Sequence, residues 1–183
     1  LASISDQAKR LQLLIEKMLQ QASLETRQVL DNAEAVNLAG IVHEAVGSVA
    51  PRLEKKQLQL QLSMTEKATV RGDAFLLQQA IVNLLENAAD FSHQAGTLYL
   101  SLEDVKGKWC LRLRDQGPGI PDYAQSRVFE RYYSLPRPEG GAKSTGLGLS
   151  FVKQVMDLHQ GRVALANHPE GGAEACLYFP VFS

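Results

Sequence analysis

Three short segments in a fixed order constrain this chain more than any other feature. They are Asn83-Leu84-Leu85-Glu86-Asn87-Ala88, Asp115-Gln116-Gly117-Pro118-Gly119 and Ser144-Thr145-Gly146-Leu147-Gly148-Leu149. In the first, Asn83, Glu86, Asn87 and Asp90 fall at i, i+3, i+4 and i+7, so they share one stripe of a helix. Leu84, Leu85, Ala88 and Phe91 point elsewhere and can hold that helix on a sheet. Asn is a poor helix former, so a pair on one stripe asks for a purpose beyond local structure. Amide oxygens are hard, neutral ligands that suit Mg²⁺, a metal that takes phosphate oxygens as further ligands. Asp115 ends an apolar strand-like run, where its carboxylate can accept from an exocyclic amine, and the following glycines let backbone approach a base. Gly146 and Gly148 open a helix, whose free N–H groups and dipole stabilise an anion such as phosphate. A metal ligand, a base reader and a phosphate cradle are the parts of a nucleotide site.

The neighbouring Gly141-Ala142-Lys143-Ser144-Thr145 is not a P-loop, because Ala142 stands where that pattern needs Gly before Lys. With 183 residues, the chain can bury one domain plus an appendage, and its formal charge of -1 argues against nucleic acid as a partner. Cys110 and Cys176 lie alone in apolar runs and read as buried thiols rather than a zinc site. The amino end lacks a secretory signal and an initiator Met, and a piece of a longer protein is expected.

Ile4, Ala8, Leu11, Ile15, Met18 and Ala22 step by 4, 3, 4, 3, 4, a coiled-coil seam that Leu14 and Leu19 widen. Such a narrow seam asks for a partner helix; the alternative is that it lies on its own domain. Asn37 offers an N-cap for a second helix that Pro51 should be ending, and Asp73 caps a third running from Ala74 to Asp90. Leu58, Leu60 and Leu62 alternate as a half-buried strand, and Val70 marks a short second one. Strands are expected at Thr97–Leu102 and Trp109–Arg114 across a Lys106-Gly107-Lys108 turn, then near Arg162–Ala166 and Ala175–Val181. A helix from Gly146 to His159 precedes the last two. Residues 134–145, rich in Pro and Gly, form a loop long enough to be functional. Without regular βαβ alternation, this is an α+β two-layer sandwich, with a mixed, mostly antiparallel sheet covered by helices on one face and a long helix in front.

With Val128-Phe129-Glu130-Arg131-Tyr132-Tyr133 added to the triplet, the chain resembles the ATP-binding catalytic domain of sensor histidine kinases, in the wider group with gyrase, Hsp90 and MutL ATPases. The segments look like the N, G1, F and G2 boxes of that family's ATP-binding (Bergerat) fold. The resemblance implies residues 1–31 as the second helix of a dimerisation and phosphotransfer hairpin and 32–183 as the catalytic domain. It implies ATP and Mg²⁺ as ligands, with Asn83 and Asn87 on the metal and Asp115 on adenine. Gly117, Gly119, Thr145, Gly146, Leu147 and Gly148 would line the nucleotide. Residues 134–145 would be the lid, with Arg131, Arg137 and Lys143 as phosphate contacts and Asp90 nearby. Glu86, the candidate catalytic residue, would activate water in a gyrase-like or Hsp90-like ATPase; in a kinase the acidic helper follows the phosphoacceptor His, which leaves Glu86 an orienting role at most. The other implied partners are the protein's own phosphotransfer helix, a second copy through the helix bundle and a response-regulator receiver domain. The implied location is the cytoplasmic side of an inner-membrane sensor.

Two positions depart from the pattern. Asp90 stands where these kinases carry Lys or Arg, which predicts weaker phosphate neutralisation, compensated by lid cations. Glu174, expected just before the last strand, replaces a Thr near adenine. No phosphoacceptor box is present: His43-Glu44 has Pro51 eight positions on rather than five, and His93, His159 and His168 fit no better. The chain alone is therefore not expected to phosphorylate itself. A degenerate docking module is the non-enzymatic alternative.

Overall fold

The computed structural model describes residues 3–141 and 144–180. Helix α1 (Ile4–Glu25) starts at a capping box in which Ser3 and Asp6 satisfy each other's backbone N–H groups. Strand β1 (Glu34–Asn37), helix α2 (Leu38–Lys55), strands β2 (Gln59–Met64) and β3 (Thr69–Gly72) and helix α3 (Ala74–Phe91) follow. Next come β4 (Thr97–Val105), β5 (Lys108–Arg114), a single 3-10 turn at Asp122–Ala124, α4 (Gly148–Leu158), β6 (Arg162–Asn167) and β7 (Ala173–Phe179).

The main sheet has the order β2-β4-β5-β7-β6, parallel only between β2 and β4. Its strands alternate so that Leu98, Leu100, Leu111, Leu113, Leu177 and Phe179 enter one core with Leu77, Ile81 and Leu85 of α3 and Val152, Val155 and Met156 of α4. This is the expected two-layer sandwich.

Several local expectations change. Strand β1, unforeseen, pairs antiparallel with β3 in a separate two-stranded sheet. Its four residues are too few to show a period, and only Val36 is buried. Pro51 does not end α2; the helix continues one turn, because Leu53 packs into the core. Strand β2 is an edge that starts at Gln59, so buried Leu58 precedes it and Leu62 on the expected apolar face is 44% exposed. The last strand runs from Ala173 to Phe179, while the expected end at Val181 lies outside the described residues. Lys106 and Gly107 make the expected hairpin turn, both with positive φ.

α1 keeps most of its seam in solvent, with Ile4 87%, Leu11 59% and Leu19 66% exposed. Its last turns differ. Leu24 joins the core, buried Gln21 exchanges hydrogen bonds with Ser150 in the first turn of α4, and Glu25 pairs with Arg131.

His159, at the end of α4, ties that helix to the start of α3. Its Nδ1 donates to the Val155 carbonyl (2.7 Å) and its Nε2 accepts from the Asp73 N–H (3.0 Å), which fixes a neutral tautomer. Burial is the main cause holding its pKa below the ordinary histidine value. The unfolded chain therefore binds this proton more readily than the folded one. Its stability contribution is present above about pH 6.5 and is lost as pH falls toward the folded pKa. Urea midpoints are expected to fall from about pH 6.5 to pH 5, with a shallower fall in His159→Gln. An identical pH profile in the variant would place the sensitivity elsewhere.

Candidate nucleotide site

Among the described residues, one cavity of about 640 Å³ opens between α3, the start of α4, residues 134–137 and 144–145, and α1. Asn83, Glu86, Asn87 and Asp90 reach it from one stripe of α3, as their spacing requires. Gly148 meets that stripe directly: a Cβ built on it would stand 4.0 Å from the Asn83 Cβ. The helix α4 that starts there has no side-chain cap, so its first N–H groups are left for a ligand or solvent. Gly146, with φ +70°, turns the chain into this helix; a Cβ there would lie 2.5 Å from the Tyr132 carbonyl carbon. Its own carbonyl accepts from the Tyr132 N–H (2.9 Å), which fastens the aromatic segment to the glycine turn.

Asp115 forms the floor. It is 5% exposed, and its Oδ1 accepts from the Gly117 N–H (2.9 Å) and the Ala173 N–H (3.0 Å). Its second oxygen receives no donor among the described residues. Burial raises its pKa, and the two backbone N–H groups oppose that shift. The carboxylate is thus held in place by the fold while being desolvated by it.

Asp90 is not a lone negative charge. Its Oδ1 lies 3.5 Å from Arg52 Nε and its Oδ2 lies 3.5 Å from the terminal nitrogen of Arg137. Arg52 also lies 3.3 Å from Glu86 Oε1. The Arg137 guanidinium stacks 4.2 Å over the Phe91 ring. Lys56 caps the end of α3 by donating to the carbonyls of Ala89 (2.8 Å), Asp90 (3.3 Å) and Ser92, and pairs with Glu139. Glu139 in turn accepts from the Gln94 N–H at 2.6 Å, so the first half of the loop is pinned across the end of α3.

Of the residues named from sequence, Asn83, Glu86, Asn87, Asp90, Asp115, Gly119, Arg137, Thr145, Gly146 and Gly148 line this cavity. Gly117 does not: it lets the turn pass against the Phe91 carbonyl, where a Cβ would collide. Leu147 is buried at 2% exposure, its N–H bonded to Thr145 Oγ1 (3.3 Å). Arg131 faces α1, paired with Glu25. Lys143 lies outside the described residues. Glu174 belongs to β7 rather than preceding it, and strand alternation turns it away while Ala173 and Ala175 line the cavity. Arg52 was missed. The only sequence signal for it was the need of two carboxylates on one stripe, Glu86 and Asp90, for a counter-charge.

A two-layer sandwich with a strand-end Asp, a helical amide stripe and an uncapped glycine helix start around one cavity defines a nucleotide-binding class of fold. The chain belongs to the histidine kinase-, DNA gyrase B- and HSP90-like ATPase family, whose model matches residues 72–183. It is 43% identical over 175 residues to the sensor protein CreC of Escherichia coli strain K12, covering 96% of this chain and 36% of that protein. The chain therefore spans about a third of that curated relative. The mycobacterial sensor histidine kinase MprB superposes with a TM-score of 0.72 at 29% identity, covering 81% of this chain and 97% of that one. Full-length ShkA, solved in complex with AMPPNP, shares the fold with a TM-score of 0.79 at 22% identity, covering 98% of this chain and 40% of that one.

Proposed function

We propose that this chain is the ATP-holding part of a sensor histidine kinase, which presents the γ-phosphoryl group of ATP to a histidine on a separate helix of the longer protein. The observation that carries this reading is the joint lining of one cavity by Asn83, Asn87, Asp115, Gly146 and Gly148. Asp115 reads the exocyclic amine of adenine, and the start of α4 receives phosphate oxygens. Asn83 and Asn87 fit Mg²⁺ by the chemistry of their donors: neutral amide oxygens on one stripe, beside the uncapped helix start. When bound, the metal would neutralise charge on the transferring phosphoryl group, and the protein's own part is positioning and electrostatics.

A hydrolytic enzyme of the gyrase or Hsp90 kind would ask Glu86 to activate water. Here Arg52 engages that carboxylate, which supports an orienting role instead. Residues 1–31 serve as the second hairpin helix and 32–183 as the catalytic unit. The exposed seam of α1 supports pairing in a homodimeric bundle. The receiver of the phosphoryl group downstream is the Asp of a response regulator. The longer protein is an inner-membrane sensor with this part on the cytoplasmic side; no described helix of this chain is itself long and apolar enough to cross a membrane.

The test is transfer of labelled γ-phosphate in the longer protein. Asn87→Ala is expected to lower transfer at least about 100-fold, through loss of metal and phosphate positioning. Failure of the unaltered chain to bind millimolar AMPPNP with Mg²⁺ would overturn the kinase reading.

A further inference from the structure

We infer that Asp90 is a positioning residue that stations two arginines at the phosphate end of the cavity, and that one of them, Arg52 of α2, contacts nucleotide phosphate. This deepens the ATP-site reading and rests on it. Arg52 and Arg137 come from distant parts of the chain and meet the two oxygens of the same carboxylate, each at 3.5 Å. Charge-assisted N–H···O bonds close at about 2.7–2.9 Å, so neither pair is a closed fork. A guanidinium carries five N–H donors, and these long pairs leave donors on both side chains for an anion. Arg52 is 47% exposed at the cavity wall, where Glu86 at 3.3 Å is its other charged neighbour.

Arg137 is the opposite case. Its side chain is 9% exposed and stacked on Phe91, and its enclosed Nε has no acceptor among the described residues. The Leu135 carbonyl accepts from one of its terminal nitrogens at 3.3 Å, and Asp90 supplies only part of what a buried guanidinium still needs. Two guanidiniums on one carboxylate also repel, and the charge of Arg52 contributes to lowering the Arg137 pKa, after burial. Removing Asp90 would leave that repulsion uncompensated and take away the anchor the two cations share, leaving Arg52 with Glu86 and Arg137 with the Phe91 ring and the Leu135 carbonyl. The acidic residue in place of a cation thus exchanges one positive side chain for two, held through a bridge.

The consequence runs against simple charge counting. Asp90→Asn removes a negative charge beside a triphosphate, and charge counting alone predicts tighter binding. Bridging predicts weaker binding. The experiment is calorimetric titration of this chain with adenosine and with AMPPNP in Mg²⁺, adenosine being measured by competition. Asp90→Asn and Arg52→Gln are each expected to weaken AMPPNP about 10-fold and leave adenosine unchanged, while Asp90→Glu stays within about threefold of the unaltered chain. AMPPNP binding at equal or higher affinity in Asp90→Asn would overturn the inference, as would equal loss of both ligands. If the unaltered chain binds neither ligand, the ATP-site reading itself falls.

Discussion

Asp115→Asn is expected to lose adenosine and AMPPNP binding alike while the fold becomes no less stable. Asparagine keeps an oxygen for the Gly117 and Ala173 N–H groups but puts an NH₂ where the second carboxylate oxygen was. A donor would then face the donor of the adenine amine. Hydrogen bonds to a charged group contribute about 1.5–3 kcal/mol, so affinity should fall about 10- to 150-fold. Stability moves the other way. The pKa of Asp115 is raised in the folded state, mainly by burial, so folding favours its protonated form. Its contribution is present below the unfolded value near pH 3.9 and lost as pH rises through the folded value. At neutral pH the ionised group is a cost to the fold, which asparagine removes. Thermal unfolding and calorimetry at about pH 7.5 check both halves. Retained nucleotide affinity in Asp115→Asn would remove this residue from adenine recognition. A large loss of stability would show that the carboxylate is structural instead.

The second large effect belongs to Gly172. It holds φ +82°, and a Cβ there would lie 2.7 Å from the Asp115 carbonyl carbon, closer still to its oxygen. Relief requires moving the end of β5 or the start of β7, the two segments that hold the Asp115 carboxylate. Gly172→Ala is expected to cost about 3–5 kcal/mol, from left-handed strain plus backbone collision. In a domain of this size that lowers the melting temperature by about 6–20 °C. Gly171 provides the control, with φ +95° but nothing within 4 Å of its Cβ. Gly171→Ala should cost only the strain, about 1–2 kcal/mol. Equal melting temperatures in the two variants would mean that the close approach to Asp115 carries no energy.

The fold was legible where periodicity was strong. The long apolar faces of α2, α3 and α4 and the alternation in β4 and β5 left few alternatives, and Asn37 and Asp73 cap as their chemistry requires. β1 was not legible, because its four residues owe their conformation to β3 rather than to any pattern of their own. The helix through Pro51 was misread for a related reason: burial of Leu53 outweighs the hydrogen bond that proline cannot make. At the site, motif residues were found but their division of labour was not. Gly117 and Leu147 serve the turns that shape the cavity, and Arg131 serves α1. Arg52 belongs to no motif; what brings it to the site is the packing of α2 on α3, a tertiary fact that no local spacing records.

The last turn of α1 bears on how such chains can be recombined. Leu24 is part of the core, Gln21 is bonded into the first turn of α4, and Glu25 holds Arg131. A hybrid joined at residues 31–32 would carry the helix of one parent into a socket shaped by the other. With a foreign helix in that socket, the Ser150 hydroxyl would lose its amide partner and Arg131 its carboxylate. A junction placed ahead of Gln21 keeps that helical stub with the sheet it completes, and leaves the exposed seam as the exchangeable part.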